Sequence, residues 1–214
     1  GLSAVAKKSG RVAAEGLMGI TVINKTGSII EINSETDFVA RNELFQSFVT
    51  TCSELAIKSN QDISLLKNMS YPNSDRTVDE ELTHNIATIG ENMNIRRSEL
   101  LSVSNGVVIS YVHNSVKDGL GRLGVLVGLE SEADEASLLT VGKQIAMHIA
   151  ATSPVSLNIE DLDPDLIERE RQVLIDQSIA SGKPSEIAEK MVIGRMKKFY
   201  QDVVLNEQTF VIDG

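Results

Sequence analysis

Leu166, Val173 and Ala180 recur at intervals of seven, Ile167 and Leu174 do the same, and the run stops at Ser181-Gly182-Lys183-Pro184. A seven-residue apolar repeat marks a helix that lays a narrow stripe against a partner helix. Gly suits the left-handed position that ends a helix, and Pro suits the first turn of the next. Ala188, Met191, Val192, Met196 and Phe199 then continue the apolar stripe. The spacing predicts an antiparallel helical hairpin from Asp163 to Tyr200, a coiled coil in miniature. Val203 to Ile212 reads as a strand returning to the body.

The remainder alternates strand and helix patterns. Residues 1 to 18 read as a linker running into a short helix. Ile20–Asn24 and Ser28–Asn33 read as two strands about the Gly-containing turn Lys25-Thr26-Gly27. Asn42 is a candidate helix cap, because its short side chain can accept from free backbone N–H groups. Phe45, Phe48, Cys52 and Leu55 follow at spacings of three and four, one face of a helix. Residues 58 to 78 are polar and irregular. A helix from Val78 to Glu91 is expected next. Met93–Val103, Gly106–His113 and Leu123–Glu130 read as strands rich in β-branched residues, with a polar loop from Asn114 to Arg122. Ala133–Ala151 reads as a helix with Leu138, Val141, Ile145 and Ile149 on one side. Strand, acidic turn and amphipathic helix occur at 28–56 and again at 123–151.

The expected class is therefore α+β. It has two related subdomains, each an antiparallel sheet with helices packed on it, plus the inserted helical hairpin. The N-terminal core subdomain is assigned to 19–131 and the C-terminal one to 132–162 and 201–214, with the hairpin at 163–200.

Composition narrows the function. The chain has 214 residues and 42% hydrophobic residues, enough for a real core, but only 4% aromatic residues and no Trp, so aliphatic packing dominates. A net charge of −10 opposes direct contact with phosphate backbones. The single cysteine, Cys52, cannot make an internal disulfide, which fits a reducing compartment. No apolar run reaches the roughly 18 residues a membrane span needs, and no signal peptide is read. The chain opens on Gly1 without Met and closes on Gly214 just after a strand-like run, which is expected of a segment of a longer protein.

Gly119-Leu120-Gly121-Arg122-Leu123-Gly124 matches the G-x-G-x-x-G dinucleotide fingerprint. That motif works only where it opens a helix whose N–H groups hold a pyrophosphate. Here Val125-Leu126-Val127-Gly128-Leu129 follows, which is strand-like, so a glycine-rich connection is the better reading. His84, His113 and His148 lie far apart, with no helical metal pair among them, and no nucleophile elbow is present. The basic cluster Arg195, Lys197, Lys198 reads as a solvated helix face. Nothing points to covalent catalysis, a metal or a cofactor.

Thr36-Asp37-Phe38-Val39 resembles the most characteristic motif of the elongation factor Ts family. Lys7-Lys8-Ser9-Gly10 with Ala13-Ala14-Glu15-Gly16, and Gly90-Glu91-Asn92-Met93-Asn94-Ile95-Arg96-Arg97, are similar to further family stretches in the same order. So are Met147-His148-Ile149-Ala150-Ala151, Ser181-Gly182-Lys183-Pro184 with Ile187-Ala188-Glu189-Lys190-Met191, and Gly194-Arg195-Met196-Lys197-Lys198-Phe199. The family's small N-terminal helical module, which resembles a ubiquitin-associated domain, and its C-terminal helix are not in this sequence. The loop Asn114 to Arg122 is longer than the family pattern.

The resemblance implies a guanine nucleotide exchange factor of translation elongation, not an enzyme, with elongation factor Tu as partner in its GDP-bound and nucleotide-free forms. It implies a bacterial cytoplasm or an organelle matrix, with no direct nucleic acid or membrane partner. Asp37 and Phe38 would insert between two helices of the GTPase domain near its magnesium and phosphates, within the partner-binding run Thr36, Asp37, Phe38 and Val39. Leu123, Gly124 and His148 would be further partner contacts. By spacing alone, Phe38 lies seven residues before Phe45 and fits a buried helical stripe as well as an exposed loop. His148 fits a half-buried structural histidine, and Gly124 a glycine entering a strand. A non-catalytic dimerisation or scaffold module acting through the hairpin is the alternative reading.

Overall fold

The computed structural model describes residues 2–213 and divides into two compact units, residues 1–150 and 151–214. The class is α+β.

In the first unit, helix α1 (Leu2–Lys8) leads into strands β1 (Glu15–Ile23) and β2 (Thr26–Ser34), an antiparallel hairpin. Its two-residue turn is Asn24-Lys25, with Asn24 in the left-handed region at φ 54°. Thus β1 starts at Glu15, where a linker was expected. A 3-10 turn, Asp37–Arg41, precedes helix α2 (Glu43–Ser59). Asn42 caps α2 as expected: its side chain accepts from the Phe45 backbone N–H at 3.1 Å. Helix α3 (Ile63–Asn68) occupies part of the region expected to be irregular; it is six residues long and carries too little periodicity to read. Helix α4 (Val78–Ile89) starts at a reciprocal capping box between Thr77 and Glu80 and ends on Gly90 at φ 90°.

Strand β3 (Met93–Ser102) pairs with β2, and the order of this antiparallel sheet is β3-β2-β1-β5, where β5 is only Leu120–Gly121. Strands β4 (Gly106–His113) and β6 (Leu123–Glu130) form a separate antiparallel pair, and helix α5 (Glu135–Thr152) follows. The strands β3, β4 and β6 lie where their β-branched residues place them.

The layers are set by which strand face is apolar. On one face of β1 and β2, Leu17, Ile30 and Ile32 join Phe45, Phe48, Val49 and Cys52 of α2 in the main core. Gly19 lies against Val49, and the Ser28 hydroxyl donates to the Ser53 carbonyl at 2.5 Å, so α2 sits close on the sheet. The opposite face receives the β4–β6 pair: a Cβ on Gly27 would meet Leu126 and Val108, and one on Gly124 would meet Met18 and Ile29. Helix α5 covers the far side of that pair, with Gly142 against Ile109 and Leu129 and with Ala146 fully buried. The first unit is thus helix, sheet, sheet, helix. Ile145 and Ile149 of the expected α5 face pack on that pair, but Val141 is exposed, and Gly142 and Ala146 make the close approach, because two small residues let the helix descend onto the strands.

The second unit is the helical hairpin, α6 (Pro164–Ala180) and α7 (Ser185–Val203), with Asp163 capping α6 and Gly182 at φ 68° in the turn. Leu174, Val192 and Met196 form the seam, with Ile167, Ile175, Phe199 and Tyr200 packed against it. Of the two heptad series, Ile167/Leu174 faces the seam, whereas Val173 and Ala180 are exposed. The expected strand over Val203–Ile212 does not form. Helix α7 runs on to Val203, and a 3-10 turn, Leu205–Glu207, follows. The chain returns beside Val155–Asn158 through Val155 N–H to Val203 at 2.7 Å, Leu205 N–H to Ser156 at 2.9 Å and a single parallel bridge, Ser156 with Val204.

Candidate functional site

The run Thr36–Val39 is placed between β2 and α2, and its four side chains have three different fates. Thr36 is half-buried and bound to Glu91: its backbone N–H donates to Oε2 at 3.0 Å and its hydroxyl to Oε1 at 2.5 Å. Asp37 is exposed, and Phe38 stands 77% exposed. Val39 turns inward, 4% exposed, into the main core with Phe45 and Phe48. The cap at Asn42 starts α2 after the motif, so Phe38 does not extend the buried stripe of that helix.

The turn is held from both sides. The Ser34 hydroxyl donates to the Thr36 carbonyl at 2.9 Å, Asn42 N–H to Val39 at 2.9 Å, and the Gln46 side-chain amide to Ala40 at 2.8 Å. Across from it, where α4 gives way to β3, Asn92 N–H donates to Glu35 Oε1 at 2.6 Å, and the Asn92 side chain donates to the Arg11 carbonyl at 2.7 Å. The Arg11 guanidinium lies 3.5 Å from Glu35. Glu35 and Glu91 therefore reach past each other, each carboxylate gripping the backbone next to the other. Neither residue, nor Arg11 or Asn92, was singled out as a site residue from the sequence. Gly90-Glu91-Asn92 was visible only as a family-like stretch, and partners 55 and 57 positions apart leave no local pattern.

The other expected site residues, Leu123, Gly124 and His148, are half-buried or buried. Gly124 is the second residue of β6, and a Cβ added there would collide with Met18. Leu123 is half-buried among the residues packed on the β4–β6 core. His148 is 2% exposed on α5.

The glycine run Gly119–Gly124 is where the chain crosses between sheets: Leu120–Gly121 pairs with β1, and Leu123 begins pairing with β4. Gly119, at φ 71°, passes over the Ile20 carbonyl, and Gly121 lies against Val112. No helix follows, so the fingerprint lacks the N-terminal N–H groups that would hold a pyrophosphate.

An open cleft of about 530 Å³ lies over the β1–β2–β3 surface and includes Glu15, Glu31, Arg97 and Arg122. Burial alone would raise the Glu31 pKa. Hydrogen bonds from Asn33, Arg96 and Arg97 outweigh that and hold the carboxyl below its ordinary range. A bulge between the Arg97 and Ile95 pairings lets both arginines reach it, Arg96 at 2.9 Å and Arg97 at 2.5 Å. Burial pushes the Cys52 thiol far up, which keeps it protonated and unreactive. Among the described residues no group of His, Cys, Asp and Glu could hold a metal ion, and no helix is long and apolar enough to cross a membrane.

A family model described as Elongation factor TS matches residues 35–214. The protein named Elongation factor Ts from Rhodospirillum centenum is 57% identical over 214 residues, covering 100% of this chain and 70% of that protein. Its namesake from Rhodospirillum rubrum is 55% identical over 215 residues, with 100% and 70% covered. The one from Gluconobacter oxydans is 53% identical over 214 residues, with the same shares.

Proposed function

The chain belongs to the elongation factor Ts family, a family of translation elongation factors, and on that premise we propose that it is the guanine nucleotide exchange factor of elongation factor Tu. It binds the GDP-bound GTPase, promotes GDP release and performs no covalent chemistry. Its relatives are bacterial, and on this reading it works in the bacterial cytoplasm.

The observation that carries this reading is Phe38, an aromatic ring 77% exposed on a turn anchored by Thr36 on one side and by Val39 on the other. Leaving so large an apolar side chain in water is unfavourable, and burying it in a partner gains about 1.5–3 kcal/mol. If the receiving pocket opens only when the GTPase domain is distorted, that gain exists only in the distorted state and shifts the population towards it. Asp37, exposed next to Phe38, brings a carboxylate to the same place. Set near the partner's Mg²⁺ site, its charge disturbs the contacts through which the ion neutralises the phosphates of GDP. Linkage makes the effect mutual: a chain that loosens GDP is itself loosened by GDP, with a coupling of about 1–3 kcal/mol or more. Within the motif, Asp37 and Phe38 are the contact pair, while Thr36 and Val39 hold the turn.

Release of labelled GDP from elongation factor Tu tests the reading. The chain accelerates release, and Phe38→Ala and Asp37→Ala each slow it while the circular dichroism spectrum stays unchanged. An absence of acceleration by the intact chain removes the exchange function.

A further inference from the structure

The two carboxylates behind the turn have no role in the exchange reaction proposed above, yet they are the most heavily bonded groups around it. We infer that Glu91 and Glu35 are positioning residues for exchange: crossed clamps that hold the Thr36–Arg41 turn in the conformation that presents Asp37 and Phe38. The inference rests on the exchange reading and adds to it the residues that make the wedge stiff.

Four observations carry it. Glu91 uses both oxygens on one residue, Thr36, immediately before the contact pair. Glu35, immediately before Thr36, bonds the backbone N–H of Asn92, immediately after Glu91. The three bonds therefore form a closed ring between two segments far apart in the chain, and one segment cannot slide without straining the other. The acceptors are carboxylates, and hydrogen bonds to ionised acceptors are shorter and about twice as strong as neutral ones. On the far side of Phe38 the turn is pinned by the buried Val39, so the exposed pair is suspended between two anchored points, one polar and one apolar.

The physical consequence is pre-organisation. A loose turn must be ordered when Phe38 enters the partner, and that ordering subtracts from the energy available for opening the nucleotide site. A fixed turn has met this cost during folding. Removing the clamp therefore weakens exchange through Phe38 and not independently of it.

A double-mutant cycle on the whole chain reads this directly, with GDP release from elongation factor Tu measured for wild type, Glu91→Ala, Phe38→Ala and the double variant. Glu91→Ala slows release about tenfold when Phe38 is present, and less than about twofold in the Phe38→Ala background, the non-additivity expected of residues that act as a unit. Hydrogen exchange gives a second readout: the Thr36 amide loses protection in Glu91→Ala while amides of the β1–β2 hairpin keep theirs. Glu91→Gln keeps one acceptor oxygen and recovers part of the rate. Should Glu91→Ala fold poorly, Thr36→Val removes the hydroxyl bond alone and gives a smaller slowing with the same dependence on Phe38. Equal slowing in both backgrounds, or no slowing with Phe38 present, overturns the clamp. Unchanged release by Phe38→Ala alone overturns the wedge role of Phe38 instead, and no acceleration by the intact chain overturns the exchange reading, so the failures are distinguishable.

Discussion

Phe38 on its turn and Ile193 on α7 are comparably exposed, 77% and 69%, and the surroundings of the two differ completely. Ile193 rides on a helix of the hairpin, whose seam is only Leu174, Val192 and Met196 with a few half-buried neighbours. Its backbone is satisfied by the helix, and its place depends on a narrow apolar contact. Phe38 sits on five residues of 3-10 turn, too short to be stable alone, and the turn is fixed by bonds to Glu91, by bonds from Ser34 and Gln46 and by Val39 in a large core. Exposure alone therefore does not identify a contact residue. An apolar side chain that the fold takes this much trouble to hold still is a different object from one left over on a helix surface.

The largest effect that tests this contrast is Phe45→Ala. Phe45 is fully buried in the core that anchors Val39, so truncation costs about 3–5 kcal/mol in denaturant unfolding and loosens the turn, slowing GDP release as well. Met196→Ala in the hairpin seam costs about 2 kcal/mol, at the low end for such truncations because the seam is thin. By hydrogen exchange its loss of protection is confined to α6 and α7, and GDP release per folded molecule holds if the turn carries the function. Asn42→Ala removes the cap between the turn and α2 and costs about 1 kcal/mol by thermal melting.

Glu31→Gln is smaller still. The folded carboxyl has its pKa below the ordinary 4.5, so its contribution is present above that pH and is lost as pH falls through the folded value. Both arginine partners are exposed to solvent, which screens the interaction and limits the effect to about 0.5 kcal/mol. The variant is weaker than wild type at pH 7 in urea titrations, and the gap closes below pH 4.5. The least change is expected of Phe38→Ala, whose stability stays within about 0.5 kcal/mol of wild type because the ring is exposed.

Much of this fold is legible in the sequence where chemistry is local. The cap at Asn42, the buried stripe Phe45–Phe48–Cys52–Leu55, the strands β3, β4 and β6 and the hairpin turn at Gly182 all follow from spacing and residue type. Misreadings arise where contact depends on a neighbouring element. Large aliphatics suggested the buried face of α5, and Ile145 and Ile149 do pack there, but Val141 is exposed and Gly142 and Ala146 make the closest approach to the sheet. Two heptad series on α6 were equivalent by period, and only the position of α7 selects Ile167 and Leu174. Apolar residues after Val203 suggested a strand, for which no neighbouring strand is available beyond the single bridge at Val204. In the site, resemblance pointed to Asp37 and Phe38, and Asn42 weakened the case for burial. The crossed carboxylates were not legible, because only the folded chain brings Glu35 and Thr36 beside Glu91 and Asn92.

The most direct measurement is the maximal rate of GDP dissociation from elongation factor Tu at saturating concentrations of intact and Phe38→Ala chain. The account predicts that the variant folds with an unaltered melting temperature and binds the GTPase, yet reaches a maximal rate roughly tenfold lower or worse, as expected if about 1.5–3 kcal/mol of ring burial is realised only in the opened state. Equal maximal rates for the two proteins would contradict it.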